Sequence, residues 1–99
     1  MTTLDEAIEK GHKRYFKNAY WKELYDDAPE CAKRYYDLIF SQLDGGNEEE
    51  VAGEFRTRME AAYKNMEDAG WEYLIHNTTN QMAKHALKEK RAKIQSAGI

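Results

Sequence analysis

Residues 28–43, APECAKRYYDLIFSQL, carry the clearest secondary-structure signal in the chain. Apolar side chains recur there at the i, i+3, i+4 and i+7 spacing that places them on one face of an α-helix. Pro29 is tolerated only in the first turn of a helix, so this spacing predicts a start beside it with Asp27 as the N-cap. The helix should end at Gly45 and Gly46, because glycine allows a left-handed C-cap. The apolar positions of this helix are Ala28, Cys31, Ala32, Tyr35, Leu38, Ile39 and Leu43.

The segment before this helix has the same period. Thr3 and Glu6 have the spacing of a capping box, in which each side chain satisfies an orphan backbone N–H. Apolar and aromatic residues then continue to Tyr25, which predicts one long first helix. Gly11 lies inside it and marks either a kink, or a close approach of another helix, or nothing.

Two more helical patterns follow. Asn47 is a good N-cap for a third helix, for which Gly70 is the expected C-cap unless the helix continues through it. A fourth pattern begins at Trp71 and is interrupted by residues 77–80, whose Asn and Thr side chains prefer caps and turns. This segment therefore forms either one helix or two short ones. The pattern weakens after Leu87, which predicts a frayed, basic extension.

Composition supports an all-α fold. Ala, Glu, Lys, Leu and Arg make up 45 of the 99 residues, whereas there is one Val and one Pro. The first group loses little rotamer freedom in a helix. We predict a small three- or four-helix bundle, with residues 1–87 as a single helical domain and residues 88–99 as the basic C-terminal extension. Short connections favour antiparallel packing of neighbouring helices.

Several classes of protein are excluded by simple features of the chain. No apolar run approaches the ~18–20 residues needed to span a bilayer, and the first residues lack the basic and apolar regions of a secretory signal. A single cysteine, Cys31, cannot form an internal disulfide. We therefore expect a cytoplasmic protein without membrane association.

The aromatic residues suggest a protein–protein interface. Leu, Ile, Val and Phe number only 15, but seven Tyr and two Trp accompany them. Each Trp is either a core anchor or a hot spot of the kind enriched at interfaces. Surplus rings would leave an aromatic surface for a protein partner or a second copy. The candidate interface residues are Tyr15, Phe16, Tyr20, Trp21, Tyr35, Tyr36, Trp71 and Tyr73.

Charge is segregated along the chain. Residues 10–22 contain five bases and no acid, and residues 23–50 contain nine acids against two bases. Basic residues beside aromatic ones can bind single-stranded nucleic acid, although a sequence pI near 5.6 is low for such a protein. The simpler interpretation of these bases is a solvated helix face. The candidate nucleic-acid contacts are Lys10, Lys13, Arg14, Lys17, Lys88, Lys90, Arg91 and Lys93.

No motif indicates catalysis or a cofactor. Glu9 and His12 match one Glu-x-x-His unit of a di-iron bundle, but the second unit is missing. The chain has no phosphate-binding glycine loop, nucleophile elbow or zinc-protease motif. We therefore predict a non-enzymatic helical interaction module without a metal or cofactor, and an accessory protein that binds nucleic acid as the alternative.

Overall fold

The computed structural model describes residues 3–43 and 49–97. The all-α prediction is confirmed, because every regular element in those ranges is helical. The predicted count of three or four helices is too low, since two of the predicted helices are each divided. The six helices are α1 (Leu4–Tyr15), α2 (Ala19–Asp26), α3 (Glu30–Leu43), α4 (Glu49–Lys64), α5 (Asp68–Asn77) and α6 (Gln81–Ala97).

The predicted first helix is broken by a cap near its middle. Thr3 caps α1 as expected, since its Oγ accepts from the backbone N–H of Glu6 at 3.2 Å. Helix α1 ends at Tyr15, and Asn18 then adopts an extended conformation. Its side-chain oxygen accepts from the backbone N–H of Tyr20 at 2.9 Å, which starts α2. An Asn at an N-cap satisfies a donor that the helix itself leaves unpaired.

The start of α3 differs from its prediction by a few residues. Asp27 is the C-cap of α2 and not the N-cap of the next helix. Helix α3 begins at Glu30, and the carbonyl of Pro29 accepts from the N–H groups of Ala32 and Lys33. A proline immediately before a helix costs no backbone hydrogen bond, because the first N–H groups have no partner within the helix.

Gly70 is not the C-cap that the sequence suggested. Helix α4 ends earlier, at Lys64, and Gly70 lies inside α5, where a Cβ would meet Cys31 Sγ at 2.5 Å. A side chain at Gly70 would therefore have to displace the Cys31 and Met66 side chains. The predicted caps at Gly45, Gly46 and Asn47 lie outside the described residues.

The chain breaks again where the sequence allowed it, between α5 and α6. Residues 78–80 are not helical, and the Oδ1 of Asn80 accepts from the N–H of Ala83 at 3.1 Å. From there α6 continues to Ala97, across most of the segment for which we predicted fraying. It is anchored because Ile94 packs against the core and Lys90 and Arg91 form ion pairs with other helices.

The core has two parts. In the first, Phe40 is completely buried and its ring contacts six others. The second is built from smaller aliphatic side chains between α1, α3 and α4. We call the first the aromatic cluster (buried residues Ala28, Ala32, Tyr36, Phe40, Met66, Trp71, Leu74, Leu87) and the second the aliphatic cluster (Leu4, Leu38, Val51, Met59, Ala62).

Gly11 brings α1 and α3 together. A Cβ at this position would lie 2.7 Å from the backbone carbonyl carbon and oxygen of Phe40. Such a distance is well inside van der Waals contact, so only a residue without a side chain fits. Of the three interpretations of Gly11 that the sequence left open, the close approach is the one found.

Candidate functional site

Two of the eight candidate interface rings are buried and five are half-buried. Trp71 is 1% exposed and Tyr36 is 7% exposed, so both are core residues in this fold. Tyr15, Phe16 and Trp21 are half-buried and pack around Phe40. The surplus aromatic surface is therefore much smaller than the composition suggested.

The remaining candidate rings differ in their surroundings. Tyr35 is half-buried between the two clusters, and loss of solvation raises its pKa to about 12. Burial likewise raises the pKa of Tyr36. Tyr20 is the exception, with 56% of its surface exposed. The phenols of Tyr35 and Tyr36 are therefore neutral at physiological pH, and Tyr20 is the candidate ring that a partner could cover.

Tyr20 borders a shallow groove between α2 and α5. Tyr73 spans the bottom, where its hydroxyl donates to the carbonyl of Leu24 at 2.5 Å. Burial raises the pKa of Tyr73, and the negative charges of Asp27 and Glu23 add to the effect. The groove thus combines aromatic surface with two exposed carboxylates. We call it the acidic groove; its volume is about 200 Å³ and it is lined by Tyr20, Glu23, Leu24, Asp27, Tyr73 and Asn77.

The bases of residues 10–17 form one exposed surface, which we call the basic face: Lys10, Lys13, Arg14 and Lys17. Lys13 lies 3.7 Å from Glu9, and the guanidinium of Arg14 lies over the Tyr15 ring at 5.9 Å. Such exposed pairs contribute little to stability. Lys10 and Lys17 make no ion pair within the described part of the chain.

The C-terminal bases do not form a second surface of this kind. Lys90 Nζ donates to Glu60 at 2.9 Å and lies 5.1 Å from the ring centre of Tyr63. Arg91 pairs with Asp68 at 3.2 Å. These two side chains join α6 to α4 and α5, whereas Lys88 and Lys93 are exposed. The structure therefore does not bring the eight predicted nucleic-acid contacts together.

Sequence reasoning missed a polar network beside Phe40. His12 Nε2 donates to Asp37 Oδ1 at 2.5 Å, and the His12 ring stacks on Phe16 with 4.7 Å between ring centres. Burial, together with a hydrogen bond to Asp37, raises the pKa of Tyr25. One carboxylate thus holds two rings in place at the edge of the core. No local sequence pattern indicates this contact, because His12 and Asp37 are 25 residues apart.

The geometry offers little for metal chemistry. Within residues 3–43 and 49–97, no group of three or more His, Cys, Asp or Glu side chains is arranged to hold a metal ion.

Cys31 is half-buried and packs against the aromatic cluster beside Gly70. No helix in the same ranges is both long and apolar enough to cross a bilayer.

Comparison with known proteins adds no relative. The chain matches no protein-family model, and neither a curated protein nor a solved structure is significantly similar to it.

Proposed function

We propose that the protein is a non-enzymatic interaction module that associates with a second copy of itself. In this association the acidic groove of one copy takes the basic face of the next. The observation that carries the proposal is the exposed ring of Tyr20, which stands beside the carboxylates of Glu23 and Asp27. An aromatic face flanked by negative charge suits a Lys or Arg side chain, through cation–π attraction and ion pairing.

The basic face supplies side chains of that kind. Lys10 and Lys17 are exposed and have no ion-pair partner in the described chain, so they are open to a carboxylate on another molecule. Neither makes an ion pair with Glu23 or Asp27 of its own chain. Complementary charges at an interface guide the encounter and fix its register.

The proposed contact joins two different surfaces, so it is heterologous. Such contacts produce closed rings when the rotation between copies closes, and open chains when it does not. We expect the assembly to grow with protein concentration. We also expect it to dissociate in salt, because exposed charges are screened over about 10 Å at 0.1 M ionic strength.

Sedimentation velocity at low and high salt tests the proposal. A groove variant carries Glu23→Lys and Asp27→Lys, and a face variant carries Lys10→Glu, Lys13→Glu and Lys17→Glu. All five positions are exposed, so circular dichroism should show unchanged helicity. We expect the wild-type chain to associate at low salt, each variant to be monomeric, and an equal mixture of the two variants to form a complex again.

A control variant changes the net charge elsewhere, with Lys88→Glu and Lys93→Glu on the exposed face of α6. It should associate like the wild type. A wild-type chain that stays monomeric at low salt contradicts the proposal. So does association that survives in both the groove variant and the face variant.

A nucleic-acid-associated role is the second candidate, favoured by the clustering of four bases on the basic face. Binding of a fluorescently labelled single-stranded DNA would then appear at low salt and weaken steeply with added salt. The face variant should not bind this DNA. Fluorescence anisotropy that does not change at low salt rules this role out.

A further inference from the structure

A second concave surface lies between α1, α3 and α4, away from the acidic groove. Its volume is about 250 Å³. Ile8, Leu38 and Ala62 give it an apolar base, on which Leu38 and Ala62 are almost fully shielded from solvent. We call it the α4 cleft; its lining is completed by Arg34, Asp37, Arg58, Ala61 and Asn65.

Three charged side chains line the α4 cleft, and two of them already have partners. Arg58 pairs with Asp5 at 2.8 Å and with Glu54 at 3.1 Å, and its hydrogen bond and charge lower the pKa of the Asp5 carboxyl. Asp37 accepts from His12. Arg58 and Asp37 therefore each have a side-chain partner within the protein itself.

Arg34 is different. It lies one helical turn before Asp37 on α3, but in residues 3–43 and 49–97 it forms no ion pair or hydrogen bond. A guanidinium stays charged at any physiological pH. An apolar cleft with a guanidinium at its edge that makes no ion pair favours a ligand that has one negative charge and one apolar part.

We propose that the α4 cleft binds a small monocarboxylate with a short apolar chain. The carboxylate pairs with the guanidinium of Arg34, whose planar fork matches a carboxylate with two parallel hydrogen bonds. The apolar chain lies against Ile8 and Ala61, over the small exposed parts of Leu38 and Ala62. The volume lies below the 300–1,000 Å³ typical of pockets for drug-sized ligands, which favours a small ligand. Inorganic phosphate would leave the apolar surface uncovered.

Titration of the full chain with 4-methylpentanoate, followed by two-dimensional NMR of the amide groups, tests this inference. We expect shifts confined to the residues that line the cleft. Acetate lacks the apolar chain, 4-methylpentanol lacks the charge, and phosphate lacks both the chain and the carboxylate geometry. Each should bind at least about tenfold more weakly, because each loses at least one of the two interactions.

Two variants locate the ligand. Arg34→Gln removes the charge and should raise the dissociation constant about tenfold or more. Ala61→Leu places a larger side chain at the exposed edge of the cleft and should block it. Arg56→Gln removes an exposed arginine that does not line the cleft and should bind as the wild type does.

Equal affinity of the Arg34→Gln variant and the wild type would overturn the inference. An absence of cleft shifts with 4-methylpentanoate would also overturn it. Because no residue of the cleft belongs to the acidic groove or the basic face, failure here is separate from failure of self-association.

Discussion

The aromatic cluster and the aliphatic cluster each form part of the hydrophobic core, but they are built from different side chains. The first surrounds Phe40 with rings, several of which carry a polar atom at the edge. The second packs Leu, Val, Met and Ala, and the ion pair of Arg58 and Asp5 lies at the surface beside it. Rings bury much area per residue, so a chain poor in aliphatic residues can still form a core.

The two clusters also differ in the hydrogen bonds that their side-chain polar atoms make. At the edge of the aromatic cluster, the Tyr73 hydroxyl donates to the carbonyl of Leu24, and Asp37 accepts from His12. Within the described residues, no buried side-chain polar atom lacks a hydrogen-bond partner. An unpaired one would cost about 1–3 kcal/mol. The aromatic cluster should therefore depend on specific partners, and the aliphatic cluster on volume alone.

The largest expected difference between the clusters comes from removing one central side chain of each. Phe40→Ala should lower the free energy of unfolding by about 4 kcal/mol, because six ring contacts are lost and a large cavity remains. Met59→Ala should cost about 2 kcal/mol, since Met59 is 8% exposed and its site can partly collapse. Urea denaturation measures both. Equal losses would show that the ring contacts around Phe40 add nothing specific.

Two glycines give a matched pair. Gly11→Ala should destabilise the protein by about 3 kcal/mol, because the added Cβ overlaps the backbone of Phe40, which cannot move without its helix. A Cβ at Gly53 on α4 would face open space. Gly53→Ala should therefore stabilise the protein by up to about 1 kcal/mol, because alanine has the higher helix propensity. Thermal unfolding followed by circular dichroism compares them. A neutral Gly11→Ala variant would show that Gly11 does not lie against the backbone of Phe40.

The smallest expected effects concern the polar edges of the two clusters. Asp37→Asn keeps the shape but removes the charge that holds His12 and Tyr25, and it should cost about 1–2 kcal/mol. Asp5→Asn breaks the fully exposed contact with Arg58 and should leave stability unchanged within error. Denaturant titration at neutral pH measures the pair. If Asp37→Asn were as neutral as Asp5→Asn, the polar network would have no structural role.

The parts of the fold that depend on local sequence could be predicted. Helix α3 follows from its apolar period, and the cap at Thr3 follows from the spacing of Thr3 and Glu6. The break at Asn18 was missed because the aromatic residues after it continue the apolar stripe across two helices. The extension of α6 was missed because Lys90 and Arg91 are held by acids of other helices, and no local pattern records this.

The candidate surfaces were harder to predict. The bases of α1 could be placed on one face, because residues three and four apart are neighbours on a helix. The burial of each ring could not be predicted. Whether Trp71 is buried and Tyr20 exposed depends on how the helices pack against one another. Likewise, the α4 cleft joins residues from three helices, and a periodic pattern describes only one helix at a time.

The close approach of α1 and α3 has a consequence for tracing the ancestry of this protein. It couples Gly11 and His12 on one helix to Asp37 and Phe40 on another, through a steric requirement and a hydrogen bond. Chains that share this fold by descent should retain a Gly-His dipeptide in the first helix and an Asp-x-x-Phe tetrapeptide in the third. This two-part signature is short, but it can be sought in sequences too divergent for overall alignment.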